Sequence, residues 1–127
     1  MNLENYIGIP FRSHGRTFAG SDCWGVVFLY YFHEYGIRLN QFLGYQSPTD
    51  SEAISDIIKN VKPHWKEVKK PEQGDVVVIA IGGRDTHVGV YLNGGKMLHA
   101  YRGTDSCIED LRSAKWKNRI TGYYRHE

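Results

Sequence analysis

After Pro71 the hydrophobic period of this chain changes, and that change limits the fold more than any other feature. Before it, Val26-Val27-Phe28-Leu29-Tyr30-Tyr31-Phe32 is an unbroken apolar block bounded by Asp22 and Gly36. After it come β-branched, alternating runs, Val76 to Ile81, Thr86 to Leu92 and Lys96 to Tyr101, separated by Gly82-Gly83-Arg84-Asp85 and Asn93-Gly94-Gly95. Tight loops between such runs predict an antiparallel meander. Cys107 to Leu111 reads as a fourth strand, Arg112 to Asn118 as a short helical turn and Ile120 to Arg125 as a closing strand. Helices first and a sheet second make an α+β chain, with N-terminal helices packed on a C-terminal antiparallel β-sheet.

The first helix is expected from Asp22 to Tyr35, capped by Ser21 or Asp22 and stopped by Gly36. It is apolar nearly all round and so belongs at the centre. A second, Asp50 to Val61, opens on Thr49 and Glu52 at capping-box spacing and ends at Pro63. Residues 5–22, with Gly8, Pro10, Gly15 and Gly20, read as an irregular lead-in that lines a cleft. With 127 residues and neither repeat nor linker, one domain over 1–127 is expected.

Charge narrows the function classes only a little. A net charge of +2 is too weak to argue for nucleic acid, and no stretch approaches the ~18 apolar residues of a membrane span. Met1 to Tyr6 lacks the basic start and apolar run of a secretory signal, so synthesis in the cytoplasm without export is expected. Two cysteines, Cys23 and Cys107, cannot make a disulfide framework. Neither sits in a C-x-x-C pair, so no metal site or cofactor is expected.

Cys23 is placed where a loop turns into the central helix. Unpaired N–H groups and roughly half a positive charge at a helix N-terminus favour thiolate over thiol. Such placement can take a cysteine from about 8.5 to roughly 3.5–7.5. A small apolar residue capping a core helix is the other reading. A nucleophilic thiolate needs an imidazole beside it, and that imidazole needs a partner to fix its ring. His87 opens one predicted strand and His99 closes the next. Pairing Tyr91 with Gly95 sets the two histidines opposite each other, and pairing Leu92 with Lys96 makes them diagonal neighbours. A two-residue turn at Asn93-Gly94 would place them on opposite faces, so the pair demands an odd loop length. Gly89 beside His87 reads either as an ordinary strand glycine or as room for another backbone or a substrate. His14, His33, His64 and His126 have no comparable setting. Cys107, in an alternating run with no helix terminus near it, reads as an inert strand cysteine.

The motifs together resemble the NlpC family of papain-like cell-wall cysteine peptidases. Asp22-Cys23-Trp24-Gly25 looks like that family's D-C-x-G nucleophile motif, and Pro71-Glu72-Gln73-Gly74-Asp75-Val76 like its entry to the sheet. His87-Val88-Gly89-Val90-Tyr91-Leu92 and Gly95-Lys96-Met97-Leu98-His99-Ala100 look like its hairpin. The resemblance implies Cys23 as nucleophile, His87 as general base and acid, and His99 as the group orienting His87. It also implies a peptidoglycan stem peptide as substrate, cut at the γ-D-glutamyl-diamino acid bond. Trp24, the lead Gly8-Ile9-Pro10-Phe11 and the absent signal look most like the phage tail-tip branch, which implies a virion location and other tail proteins as partners. Many relatives have a tyrosine where this chain has Phe11, so substrate polarisation would fall to the Cys23 N–H and to Ser21 or Asp22. Asp22 reads equally as helix cap or substrate contact, and Trp24 as core, cleft wall or ligand contact. Two other functions stay open: a structural tail protein with little turnover, and another Cys-His amidase or acyltransferase.

Overall fold

A computed structural model describes residues 3–44 and 49–127. A short 3-10 turn, Leu3–Tyr6, leads to a two-stranded ribbon, β1 (Arg16–Thr17) and β2 (Gly20–Ser21), that folds the lead-in back on itself. Helix α1 (Cys23–Tyr35) follows directly. Its N-cap is Asp22, whose carboxylate accepts the Gly25 N–H at 2.8 Å, and it ends at Gly36 in a left-handed conformation (φ 66°). Every residue from Cys23 to Tyr31 is buried, which is why the apolar block shows no helical stripe. Gly25 is needed for close approach: a Cβ there would lie 2.1 Å from the Gly15 carbonyl oxygen.

Helix α2 (Asp50–Val61) is amphipathic, burying Ile54, Ile57, Ile58 and Val61. The Thr49 hydroxyl accepts the Glu52 N–H at 3.1 Å, and Pro63 sits in the 3-10 turn Lys62–His64 that ends the helix. The sheet contains β3 (Lys66–Val68), β4 (Val76–Ile81), β5 (Arg84–Leu92), β6 (Lys96–Tyr101), β7 (Thr104–Asp110) and β8 (Ile120–Arg125). Their spatial order is β3-β8-β4-β5-β6-β7, antiparallel throughout. The sequence reading missed β3, an exposed edge strand held by pairing to β8 rather than by alternating burial. It also started β5 and β7 late and placed a helical turn at 112–118, which is a run of turns.

Both faces of the sheet are covered. Val76, Val78, Val88, Val90, Leu98 and Ala100 join the main core with α1 and α2, while Val77, Ile79 and Met97 form a smaller core with Leu111 and Trp116. Leu92 pairs with Lys96, leaving Asn93-Gly94-Gly95 as a three-residue loop with Gly94 and Gly95 at φ 90° and 76°. This is the diagonal register, and it puts His87, His99 and Tyr101 on the Trp116 face. Two irregularities then reshape the strands around the histidines. The β4–β5 register slips just beyond Ile79↔His87, and the β6–β7 register slips between His99 and Tyr101. Bulges of this kind bend a strand and re-aim its side chains.

Candidate active site

The nucleophile helix, the lead-in and the ends of β5 and β6 meet at a cavity of about 140 Å³. Cys23 comes to it from the first turn of α1, His87 and Thr86 from β5, Asp50 from α2, and Phe11 from the lead-in. Tyr101 and Arg102 close the β6 side. Arg102 lies over the Phe11 ring, 5.4 Å from its centroid, and forms an ion pair with Asp50. A cation–π contact and an ion pair therefore define the rim at Phe11.

Under Cys23 lies a buried ion pair that sequence reasoning missed. The Arg16 guanidinium meets Asp22 at 2.7 Å, with their side chains 5% and 8% exposed, and it also donates to the carbonyls of Gln41 and Gly15. The remaining Asp22 oxygen accepts the His14 N–H at 3.0 Å. All the acceptor contacts seen for this carboxylate are thus internal, and Asp22 is the helix cap of the two sequence alternatives. Burial pushes the Cys23 thiol up to about 12, and the Asp22 charge adds to the effect. Backbone contacts from Val88 and Trp24 and the charge of Arg16 oppose this without overcoming it. The sequence expectation of a depressed thiol is corrected here: at a cysteine only 4% exposed, the desolvation of the anion outweighs the helix terminus.

The histidines form a directed chain. His87 Nε2 lies 2.8 Å from His99 Nδ1, and His99 Nε2 lies 2.6 Å from Glu109 Oε2. Burial raises the cost of charge on Glu109, but contacts with Trp116, His99 and Lys115 more than offset it, and its carboxyl lies below the ordinary value. An ionised carboxylate only accepts. His99 Nε2 therefore carries the proton, His99 Nδ1 accepts, His87 Nε2 donates, and His87 Nδ1 is left with a free lone pair. Glu109 was not foreseen. Its one signal was its place two residues beyond Cys107, the direct cross-strand partner of His99. Trp116 stacks on His87 at 5.8 Å and meets His99 edge-on at 5.3 Å, sealing the pair from below.

Burial holds His87 well below its ordinary value, with the neighbouring His99 and Lys115 adding to the effect. His99 is lowered too, by burial first, against the pull of Glu109. An unfolded chain takes up these protons near pH 6.5, whereas the folded chain does not until the pH is lower. The unfolded state thus binds more protons, so the stability from both histidines is present above pH 6.5 and is lost as pH falls through the folded values. Each steepens the acid limb by up to about 1.4 kcal/mol per pH unit. A melting temperature that stays flat from pH 7 to pH 5 would contradict this.

Other sequence candidates fall outside the cavity. The Ser21 hydroxyl donates to the Thr17 carbonyl at 2.9 Å, and Ser21 is fully buried away from the cavity lining. Trp24 is core: its indole donates to the Asn40 carbonyl at 2.9 Å and its ring packs against Phe42 and Trp65. The space beside Gly89 is taken by the Met97 side chain and by the Leu98 carbonyl oxygen, 3.1 Å from where a Cβ would stand, so the glycine makes room for a neighbouring strand and not for substrate. Cys107 is half-buried, its thiol raised first by burial and then by the Glu109 charge. Cys107 is not part of the cavity lining and meets His99 on its Nε2 side, away from His87, so Cys107→Ser is expected to keep hydrolysis within a few fold of wild type. Complete loss from a folded variant would show the two thiols to be wrongly assigned.

A buried cysteine opening a core helix, with a histidine pair on an antiparallel sheet, defines the papain-like class of cysteine peptidases. Within that class the chain belongs to the NlpC/P60 family, whose pattern matches residues 8–125. It is 30% identical over 132 residues to a gamma-DL-glutamyl hydrolase of Bacillus subtilis, and 25% identical over 112 residues to the murein DD-endopeptidase MepS/murein LD-carboxypeptidase of Escherichia coli. Those alignments cover 98% and 88% of this chain but only 28% and 53% of the two relatives. Among solved structures, the NlpC/p60 domain of the peptidoglycan hydrolase SagA superposes with a TM-score of 0.65 at 20% identity, covering 96% of this chain and 91% of that one. NlpC2 from Trichomonas vaginalis gives 0.71 at 17% identity, over 98% and 44%. At those identities the likeness concerns the fold.

Proposed function

We propose that this chain is a cysteine endopeptidase that hydrolyses peptidoglycan stem peptides at the γ-D-glutamyl-diamino acid bond. The observation that carries the reading is the hydrogen-bonded chain Glu109–His99–His87, ending on a cavity that His87 shares with Cys23. His87 Nδ1 takes the Cys23 proton as the sulfur attacks the substrate carbonyl, so no free thiolate has to exist in the buried resting site. The tetrahedral intermediate collapses to a thioester, and His87 gives its proton to the departing amine. Water then attacks the thioester with the roles reversed. The Cys23 N–H, at the start of α1, is the backbone donor available to the oxyanion. His99 and Glu109 hold the ring of His87 and its tautomer.

The kinship with a gamma-DL-glutamyl hydrolase supports a γ-glutamyl acyl group, and the kinship with a murein endopeptidase supports the wall polymer as its source. Arg102 at the rim offers a partner for a stem-peptide carboxylate once it leaves Asp50. We further propose a place in a phage tail tip, on the resemblance of Asp22-Cys23-Trp24-Gly25 and Gly8-Ile9-Pro10-Phe11 to that branch. Digestion of purified peptidoglycan, with released fragments identified by mass, tests the bond: fragments ending in γ-D-glutamate are expected. Cuts at another amide would move the chain to the amidase or acyltransferase reading. Peptide mapping of purified virions tests the tail location.

A further inference from the structure

We propose that His99, Cys107 and Glu109 form a site for one zinc-like divalent ion, and that filling it switches off the histidine chain. His99 and Cys107 are direct partners across β6 and β7, and Glu109 lies two residues further along β7 on the same face. Cys107 Sγ is 3.8 Å from His99 Nε2, Glu109 Oε2 is 2.6 Å from it, and the donor atoms of all three lie within 4.8 Å of one another. Thiolate sulfur binds zinc at about 2.3 Å and imidazole or carboxylate at about 2.0–2.2 Å, which places donors about 3–4 Å apart. The sulfur and nitrogen already have that spacing. The carboxylate must draw back by less than about 1 Å, exchanging its proton-mediated contact for one through the ion.

Charge and access fit as well. One thiolate and one carboxylate balance a divalent cation around a neutral imidazole. Cys107 and Glu109 are only half-buried, which gives the ion a path from solvent and leaves a fourth position for water. The competing cation is Lys115, 3.9 Å from Glu109 Oε1, but its side chain is 53% exposed and also rests over the Trp116 ring, 4.8 Å from the centroid, so it does not depend on the carboxylate.

The switch follows from proton positions, and that part rests on the catalytic reading above. A metal on His99 Nε2 occupies that lone pair, so the one proton of the neutral ring moves to Nδ1. His99 Nδ1 then donates to His87 Nε2, which must accept. The His87 proton now sits on Nδ1, where Cys23 needs a base. Each imidazole keeps one proton throughout, and the Cys107 thiol releases one to solvent for each ion bound.

Cobalt(II) titration of the Cys23→Ala protein tests the site without any need for turnover. One equivalent is expected to give thiolate-to-metal absorption, and the Cys107→Ser protein, which retains Cys23, is expected to give none. Zinc competition should show affinity at least about 100-fold weaker in Cys107→Ser and Glu109→Gln, since even an outer partner is worth up to that much. No band in Cys23→Ala, or an undiminished band in Cys107→Ser, overturns the site. For the switch, zinc should inhibit wild-type digestion in a way that added substrate does not relieve and a chelator does. Cys107→Ser, compared with its own metal-free rate, should be insensitive at the same concentration. Equal inhibition of both proteins would place the ion on Cys23 and His87 instead and overturn the switch. A metal-free wild type without hydrolysis would overturn the catalytic reading and the switch with it, while the cobalt titration still decides the site.

Discussion

Cys23→Ala is expected to abolish peptidoglycan hydrolysis, and His87→Ala to come close to doing so. Losses of about 10⁴ to 10⁶ in kcat accompany removal of members of a comparable hydrolase triad. The members act as a unit, so Cys23→Ala/His87→Ala should be little worse than Cys23→Ala alone. His99→Ala and Glu109→Gln should cost less, because they orient a base and do not touch the reacting atoms. Glu109→Gln is the more informative of the two. An amide can donate as well as accept, so it no longer dictates which His99 nitrogen carries the proton. Cys23 is 4% exposed and loses only a sulfur atom, so the fold should survive its replacement. Digestion at the wild-type rate by folded Cys23→Ala protein would sink the peptidase assignment and bring forward the structural tail protein.

Arg16→Met is expected to destabilise the fold by about 3–5 kcal/mol, the cost of leaving one member of a buried pair unmatched. The substitution keeps much of the side-chain volume but strands the Asp22 charge, 6% exposed, at the cap of α1. Urea unfolding measures this directly. The double variant Arg16→Met/Asp22→Asn should recover most of the loss, because asparagine still caps a helix and brings no charge with it. A single variant within 1 kcal/mol of wild type would mean that the pair is not what holds Asp22 in place. Hydrolysis should fall along with stability, since Asp22 fixes the first turn that aims Cys23.

What was legible in the sequence was whatever depends on neighbours along the chain. The limits of α1 and α2 followed from capping side chains and stop signals, as Asp22, Thr49 and Gly36 show. Strands β4, β5 and β6 followed from period-two patterning, and an odd loop length was enough to put His87 and His99 on one face. Only the tertiary structure could decide what depends on contacts between distant segments. Arg16 reads as a loop cation until the β1–β2 ribbon buries it against Asp22. Glu109 reads as a solvated strand residue until the β6–β7 register brings it to His99. The state of the Cys23 thiol belongs with them. Position at a helix N-terminus is visible in the sequence and favours the anion, but removal of water by β5 and the lead-in opposes it more strongly, and that burial exists only once the chain has folded.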